Sequence, residues 1–205
     1  MKPLNKRPLG RPPVQQEGLP TSKHILFNAS KLFMEKGFES VSMNEVAKQT
    51  GVTKATVYYY FPTKTDLFVA SMIEVLSRVD ERIRVLLEQP GSFYNRLIHV
   101  ATNYLKVPQV HMDGMLEKVK HHLTIEQHQQ LIAHENALFQ RLQEGFNSAS
   151  KNNEIVCDNP VLAAHIFVSM LKVGERKYTD DEKLFASPEE AAEGIVSFLW
   201  RGIHK

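Results

Sequence analysis

Residues 53–64 concentrate hydroxyl and ammonium groups: Thr53-Lys54-Ala55-Thr56-Val57-Tyr58-Tyr59-Tyr60, followed by Lys64. Threonine and tyrosine hydroxyls can hydrogen-bond phosphate oxygens, and lysine adds charge. Lysine also reaches guanine edges, and the methyls of Ala55 or Thr56 can touch thymine. At roughly 100° per residue, a helix here gathers Val57 and Phe61 on one side, with Tyr60 at its edge. Ala55 and Tyr59 point the opposite way, flanked by Thr56 and Tyr58, with Lys54 at the exposed start. Three consecutive tyrosines span about 200° of a helix, so they cannot all enter one core. An outward aromatic cluster beside lysines points to binding, with packing against a neighbouring helix as the alternative.

Other chemistries find little support. The chain has no phosphate loop, no Gly-x-Ser-x-Gly elbow and no zinc-protease motif, so no catalytic residue and no cofactor is assigned. Its nine histidines include no pair four apart, and Cys157 is the single cysteine. A metal-responsive protein, with Glu117 or Glu135 assisting histidines, is a minor alternative reading. One cysteine also excludes an internal disulfide, consistent with a cytoplasmic protein.

The elements that must position the hydroxyls read as helices. Ile25, Ala29, Leu32 and Phe33 fall on one helical face, and Gly37 ends that helix. Ser42-Met43-Asn44-Glu45 fits a capping box, flanked by Val41 and Val46 as a staple. This second helix stops at Gly51. Thr53 caps a third helix over 54–60, which ends near Pro62. Thr63-Lys64-Thr65-Asp66 is another capping box and opens a long fourth helix to about Leu87. Further helices are expected at 92–106, 109–121, 124–150, 160–176 and 188–203. The expected fold is all-α: a small helix-turn-helix head over 21–68, joined by the fourth helix to a helical body over 69–205. Residues 1–20, with five prolines and two glycines, read as a flexible basic arm.

Charge separates along the same line. Residues 1–65 hold ten Lys/Arg against four Glu, whereas the remainder holds fifteen basic against nineteen acidic groups. A basic head on an acidic body fits an anionic partner for the head alone, such as nucleic acid. Lys64 lies in the first turn of a helix, where exposed N–H groups favour a phosphate. Ser42 and Asn44 can hold the opposing backbone. No apolar run reaches membrane-spanning length, so no membrane association is expected.

The order Ile25-Leu26, Ala29, Leu32-Phe33, Lys36-Gly37-Phe38, Val46-Ala47, Gly51-Val52, Thr56-Val57-Tyr58-Tyr59-Tyr60-Phe61, Lys64, Leu67 and Phe68 resembles the N-terminal domain of the TetR/AcrR family. The resemblance covers about 48 residues. It implies a homodimeric regulator, usually a repressor, bound to a palindromic operator in double-stranded DNA and released by an effector. It also implies that Lys54, Ala55, Thr56, Tyr58, Tyr59 and Lys64 face DNA; Ser42, Asn44 and Thr53 join that surface from their positions at the helix starts. Relatives often carry histidine where this chain has Tyr60, whose hydroxyl still reaches phosphate. The stretch from Lys6 to Pro12 resembles arms that enter the minor groove, with Arg11 as the reading residue.

Resemblance helps less beyond Phe68. In the family the last two long helices form a four-helix bundle with a partner copy. Here Ala163 and Phe167 line one stripe, and Ala192, Ile195 and Leu199 another, each either interface or internal core. They are taken as the dimer face. Tyr104, Met112, Met115, Phe139 and Met170 are candidate walls of a pocket for a small apolar or aromatic effector. Ordinary core packing is the alternative for each. A body that contacts a protein instead of a small molecule is a further reading.

Overall fold

A computed structural model describes residues 20–106, 112–174 and 184–203, with the side chains of residues 112–114 excepted. Arg11, with the rest of the expected arm up to residue 19, and the side chain of Met112 therefore lie outside the described residues. Those described fold as α-helices without strands.

The head begins with α1, Thr21–Lys36, which buries Ile25, Ala29, Leu32 and Phe33 along one face. Gly37 stops it at a φ of 78°, a conformation that costs a residue with a Cβ. Phe38 then turns back and lies 6.0 Å from Phe33, while Phe68 meets both rings edge-on at 5.2 Å. Such aromatic contacts contribute about 0.5–1.5 kcal/mol per pair beyond simple burial. Helix α2, Met43–Thr50, is capped by Ser42 and closed by Gly51 at a φ of 70°. There the N–H of Val52 donates to the Ala47 carbonyl at 3.1 Å, and that of Gly51 to the Lys48 carbonyl. This pair of bonds is a Schellman motif, and it sets the tight turn into α3, Lys54–Tyr60.

Helix α4, Lys64–Leu87, carries a complete Thr63–Asp66 capping box and runs from head to body. The body adds α5 (Phe93–Lys106), α6 (Met112–Val119), a 3-10 turn at Lys120–His122, α7 (Ile125–Lys151), α8 (Pro160–Gly174) and α9 (Pro188–Ile203). Its core joins α5, α7, α8 and α9 through Phe93, Phe146 and Phe167, with Phe93 and Phe146 edge-on at 5.2 Å. Gly145 allows close approach, since a Cβ there would lie 3.2 Å from Leu87. Polar ties reinforce these contacts. Arg141 on α7 clasps Asp80 on α4 through two bonds of 3.1 and 3.0 Å. The Glu154 carboxylate accepts from the Phe93 N–H at 2.8 Å and from Arg96 at 3.0 Å.

The head's core reaches beyond the head. Met115, Val119 and Leu131 from α6 and α7 belong to the same buried cluster as Phe33, Val57 and Phe68. The chain can therefore be cut at Phe68, but the core cannot. No described helix is long and apolar enough to cross a membrane.

Candidate nucleic-acid interface

Helix α3 has seven residues, and Val57 alone among them is fully enclosed. Phe61, at its end, completes the inward side. The opposite side is open: Tyr59 is 81% exposed, Tyr58 and Tyr60 are each 41% exposed, and Lys54 and Ala55 are exposed too. The faces expected from helical geometry are thus those found. The Thr53 hydroxyl caps the helix through the Thr56 N–H at 3.1 Å and pairs with the Thr56 hydroxyl at 2.8 Å. That pairing fixes the start of α3, next to the Lys54 ammonium. The ammonium lies 5.7 Å from the centroid of Tyr58, and Tyr59 meets Tyr60 edge-on at 5.1 Å. Hydroxyls, one cation and a small residue therefore share one convex, solvent-facing ridge.

Two flanks complete the surface. Ser42 and Asn44 are exposed at the start of α2, where the Ser42 hydroxyl accepts from the Glu45 N–H at 3.2 Å. The Glu45 carboxylate pairs with Lys36 at 2.6 Å. That hydrogen bond is the main reason its pKa is held below the usual carboxylate range, with the Ser42 backbone a smaller influence. Lys64 opens α4 on the other flank. Its ammonium donates to the Glu39 carbonyl at 3.1 Å and lies 4.3 Å from the Phe38 ring centroid. An ammonium carries three donors, so one such bond does not exhaust it. The lysine is held in place and still able to meet a phosphate.

The body residues singled out earlier are placed differently. Ala163, Phe167, Ala192, Ile195 and Leu199 are buried against this chain's own core, which leaves them little surface for a second copy, and Ile195 also edges the hollow beside Phe198. Helix α8 is apolar almost all round, and periodicity chose the internal stripe. Its outward stripe holds Leu162, Ile166, Met170 and Val173, of which Met170 and Val173 line a hollow shared with Phe198 of α9, which is 76% exposed. Of the candidate pocket walls whose side chains are described, only Met170 lines either of the two hollows described below. Met115 sits in the head's core, Tyr104 packs against the body's core, and Phe139 on α7 stacks on His165 of α8 at 4.4 Å. Met170 lines an open apolar hollow of about 320 Å³ between α8, α9 and Phe185.

A second cleft of about 270 Å³ lies between α4, α5 and α7 and is lined by Arg84, Arg96 and Arg141. Each of these arginines already pairs with a carboxylate. Among the described residues no three His, Cys, Asp or Glu side chains are grouped to hold a metal ion. Burial, the largest influence, pushes the Cys157 thiol up, away from a reactive thiolate.

Comparison with known proteins places this geometry. Residues 25–71 match the family described as bacterial regulatory proteins, tetR family. The transcriptional regulator AcrR of Shigella flexneri is 44% identical over 54 residues, which span 26% of this chain and 25% of AcrR. The uncharacterized regulator YvkB of Bacillus subtilis is 24% identical over 195 residues, 90% of this chain and 97% of YvkB. Among solved structures, reduced NemR of Escherichia coli superimposes with a TM-score of 0.73 at 17% identity, covering 91% of this chain and 98% of NemR. The regulator FadR of Bacillus subtilis, in complex with stearoyl-CoA, superimposes with a TM-score of 0.67 at 18% identity, covering 89% and 99%. The sequence likeness is strongest in the head, and the structural likeness extends the shared fold over 91% and 89% of the chain.

Proposed function

The chain belongs to the TetR/AcrR family of transcriptional regulators, and from that premise we propose that it is a cytoplasmic homodimeric repressor released from its operator by a small apolar effector. The observation that carries the reading is the outward ridge of α3, where Tyr59 and Lys54 have no core to serve. In this reading α3 enters the major groove, with Thr56, Tyr58 and Tyr60 on its flanks. Lys64, Ser42 and Asn44 hold the phosphates on either side. Two copies related by a two-fold axis require a palindromic operator, with half-sites about one helical turn or a multiple apart. The outward apolar face of α8 and α9 is the seat for the second copy.

An effector must bind the DNA-bound and released arrangements with different affinity. The described cavities do not single out its chemistry. The acyl-CoA bound to FadR of Bacillus subtilis makes a fatty acyl-CoA the first class to test here.

Selection from a random pool of duplexes tests the central reading. Enrichment of a two-fold-symmetric site is expected, with affinity that falls steeply as salt rises, because several phosphates are neutralised. An unenriched pool, or binding indifferent to salt, would overturn it. The enriched duplex then serves to screen small apolar and aromatic compounds, and separately the amphipathic, anionic acyl-CoAs, for release.

A further inference from the structure

Two helix caps, one in the head and one in the body, are bonded to each other. At the start of α4, Asp66 Oδ2 accepts from the Thr63 N–H at 3.1 Å and from its hydroxyl at 2.7 Å. At the start of α7, Gln127 Oε1 accepts from the Thr124 N–H at 3.0 Å. Each cap occupies one end of its closing side chain and leaves the other end over. Those ends meet: Gln127 Nε2 donates to Asp66 Oδ1 at 2.8 Å, in a partly buried position. A bond to an ionised carboxylate is stronger than one between neutral groups.

A second contact joins the same two regions. The His122 imidazole, just before Thr124, lies 3.0 Å from the Glu39 carboxylate, and its ring centroid is 5.3 Å from that of Phe38. Phe38 and the Glu39 carbonyl are the groups that hold the Lys64 ammonium. Residues 122–127 of the body thus reach the surroundings of Lys64 twice, through the α4 cap and through the loop before α2. Helix α3 ends only three residues before Thr63, and a single enclosed side chain anchors it. Its orientation depends on how the first turn of α4 is held.

We propose that Gln127 is a positioning residue for DNA binding: through Asp66 it fixes the first turn of α4, and so sets Lys64 and α3 against the duplex. Movement of the start of α7 would then be felt at the DNA surface without any contact between α7 and DNA. This rests on the DNA-binding reading above.

Exchanging the two ends of the bond provides the test. Gln127→Glu keeps the acceptor for the Thr124 N–H but sets a second carboxylate against Asp66. Adding Asp66→Asn restores a donor–acceptor pair of reversed polarity, while the amide oxygen still receives the Thr63 N–H. Binding is measured to the duplex enriched by the wild-type chain, with circular dichroism and melting as controls on folding. Q127E is expected to weaken binding about tenfold, and D66N with Q127E to return it to within about threefold, as coupled neighbours do.

Hydrogen exchange at the first amides of α4 gives a reading that needs no DNA. It should speed up in Q127E and slow again in the double variant. Wild-type binding by Q127E, a loss the double variant does not recover, or unchanged exchange would each overturn the proposal. If Q127E fails to fold, Gln127→Met removes the bond without adding charge and carries the same expectations of weaker binding and faster exchange. A wild-type chain that enriches no duplex would overturn the DNA-binding reading and the positioning role with it. Altered exchange would still show whether the caps are bonded.

Discussion

Tyr59 on α3 and Phe198 on α9 are the two most exposed large aromatic side chains among the described residues, at 81% and 76%. Their surroundings differ in kind. Tyr59 stands among hydroxyls and an ammonium, on a helix with one fully enclosed residue. Phe198 stands among Met170, Val173 and Ile195, on a helix that buries five residues behind it. The first surface offers polar groups that a hydrated polyanion can satisfy. The second offers hydrocarbon, which gains only by leaving water. Exposure by itself therefore says little about the occupant, and the neighbours decide.

The comparison is open to breaking at its apolar end first. Phe198→Glu places a charge where a second copy would have to bury it unpaired, a cost of several kcal/mol. Self-association measured by analytical ultracentrifugation should weaken by about a hundredfold or more. A variant that still associates like the wild type would mean that the second copy sits elsewhere. Tyr59→Ala should leave association intact and weaken binding to the enriched duplex about tenfold, within the range for a residue reading base edges. If Tyr59→Ala altered association instead, the division of labour between the two surfaces would be lost.

The smallest effect concerns the Lys36–Glu45 pair, whose side chains are 48% and 31% exposed. Exposed pairs add little to stability. The Lys36 ammonium lowers the pKa of Glu45, so this contribution is present above the unfolded carboxylate pKa and fades as pH falls through the lowered value. Lys36 is raised in turn, so its contribution is present below the ordinary lysine range and fades as pH rises through the raised value. Lys36→Met should let the Glu45 titration midpoint climb back, as followed by NMR, with scarcely any change in melting temperature. A large drop in melting temperature would mean that the pair matters to the head's packing.

The head was legible because each local rule agreed with the next. Ser42, Thr53 and Thr63 cap the helices they precede, and Gly37 and Gly51 end the helices they follow. Turning α3 by helical geometry then separated Val57 from Tyr59. The body was legible as helices but not as faces. Helix α8 has Leu162 and Ile166 on one side and Ala163 and Phe167 on the other, so hydrophobic period could not say which stripe faces its own chain. Only the packing of α5 and α7 against Phe167 decides that. The bond between Asp66 and Gln127 was illegible for another reason. Thr124 and Gln127 do spell a capping box, yet nothing local indicates that its spare amide meets a carboxylate 61 residues away.

The core shared between head and body bears on how the chain is made. Synthesis proceeds from the N-terminus, and α1 to α3 with the first turn of α4 emerge with the groups of the candidate DNA surface from Ser42 to Lys64 already present. Met115, Val119 and Leu131, which close the floor beneath Phe33 and Phe68, follow much later. A nascent chain that stops after α4 carries the reading head but leaves one side of its core in water. In the proposed reading the grip on DNA would mature only when α7 arrives, and a truncated product would be poorly equipped to compete with the finished protein for its sites.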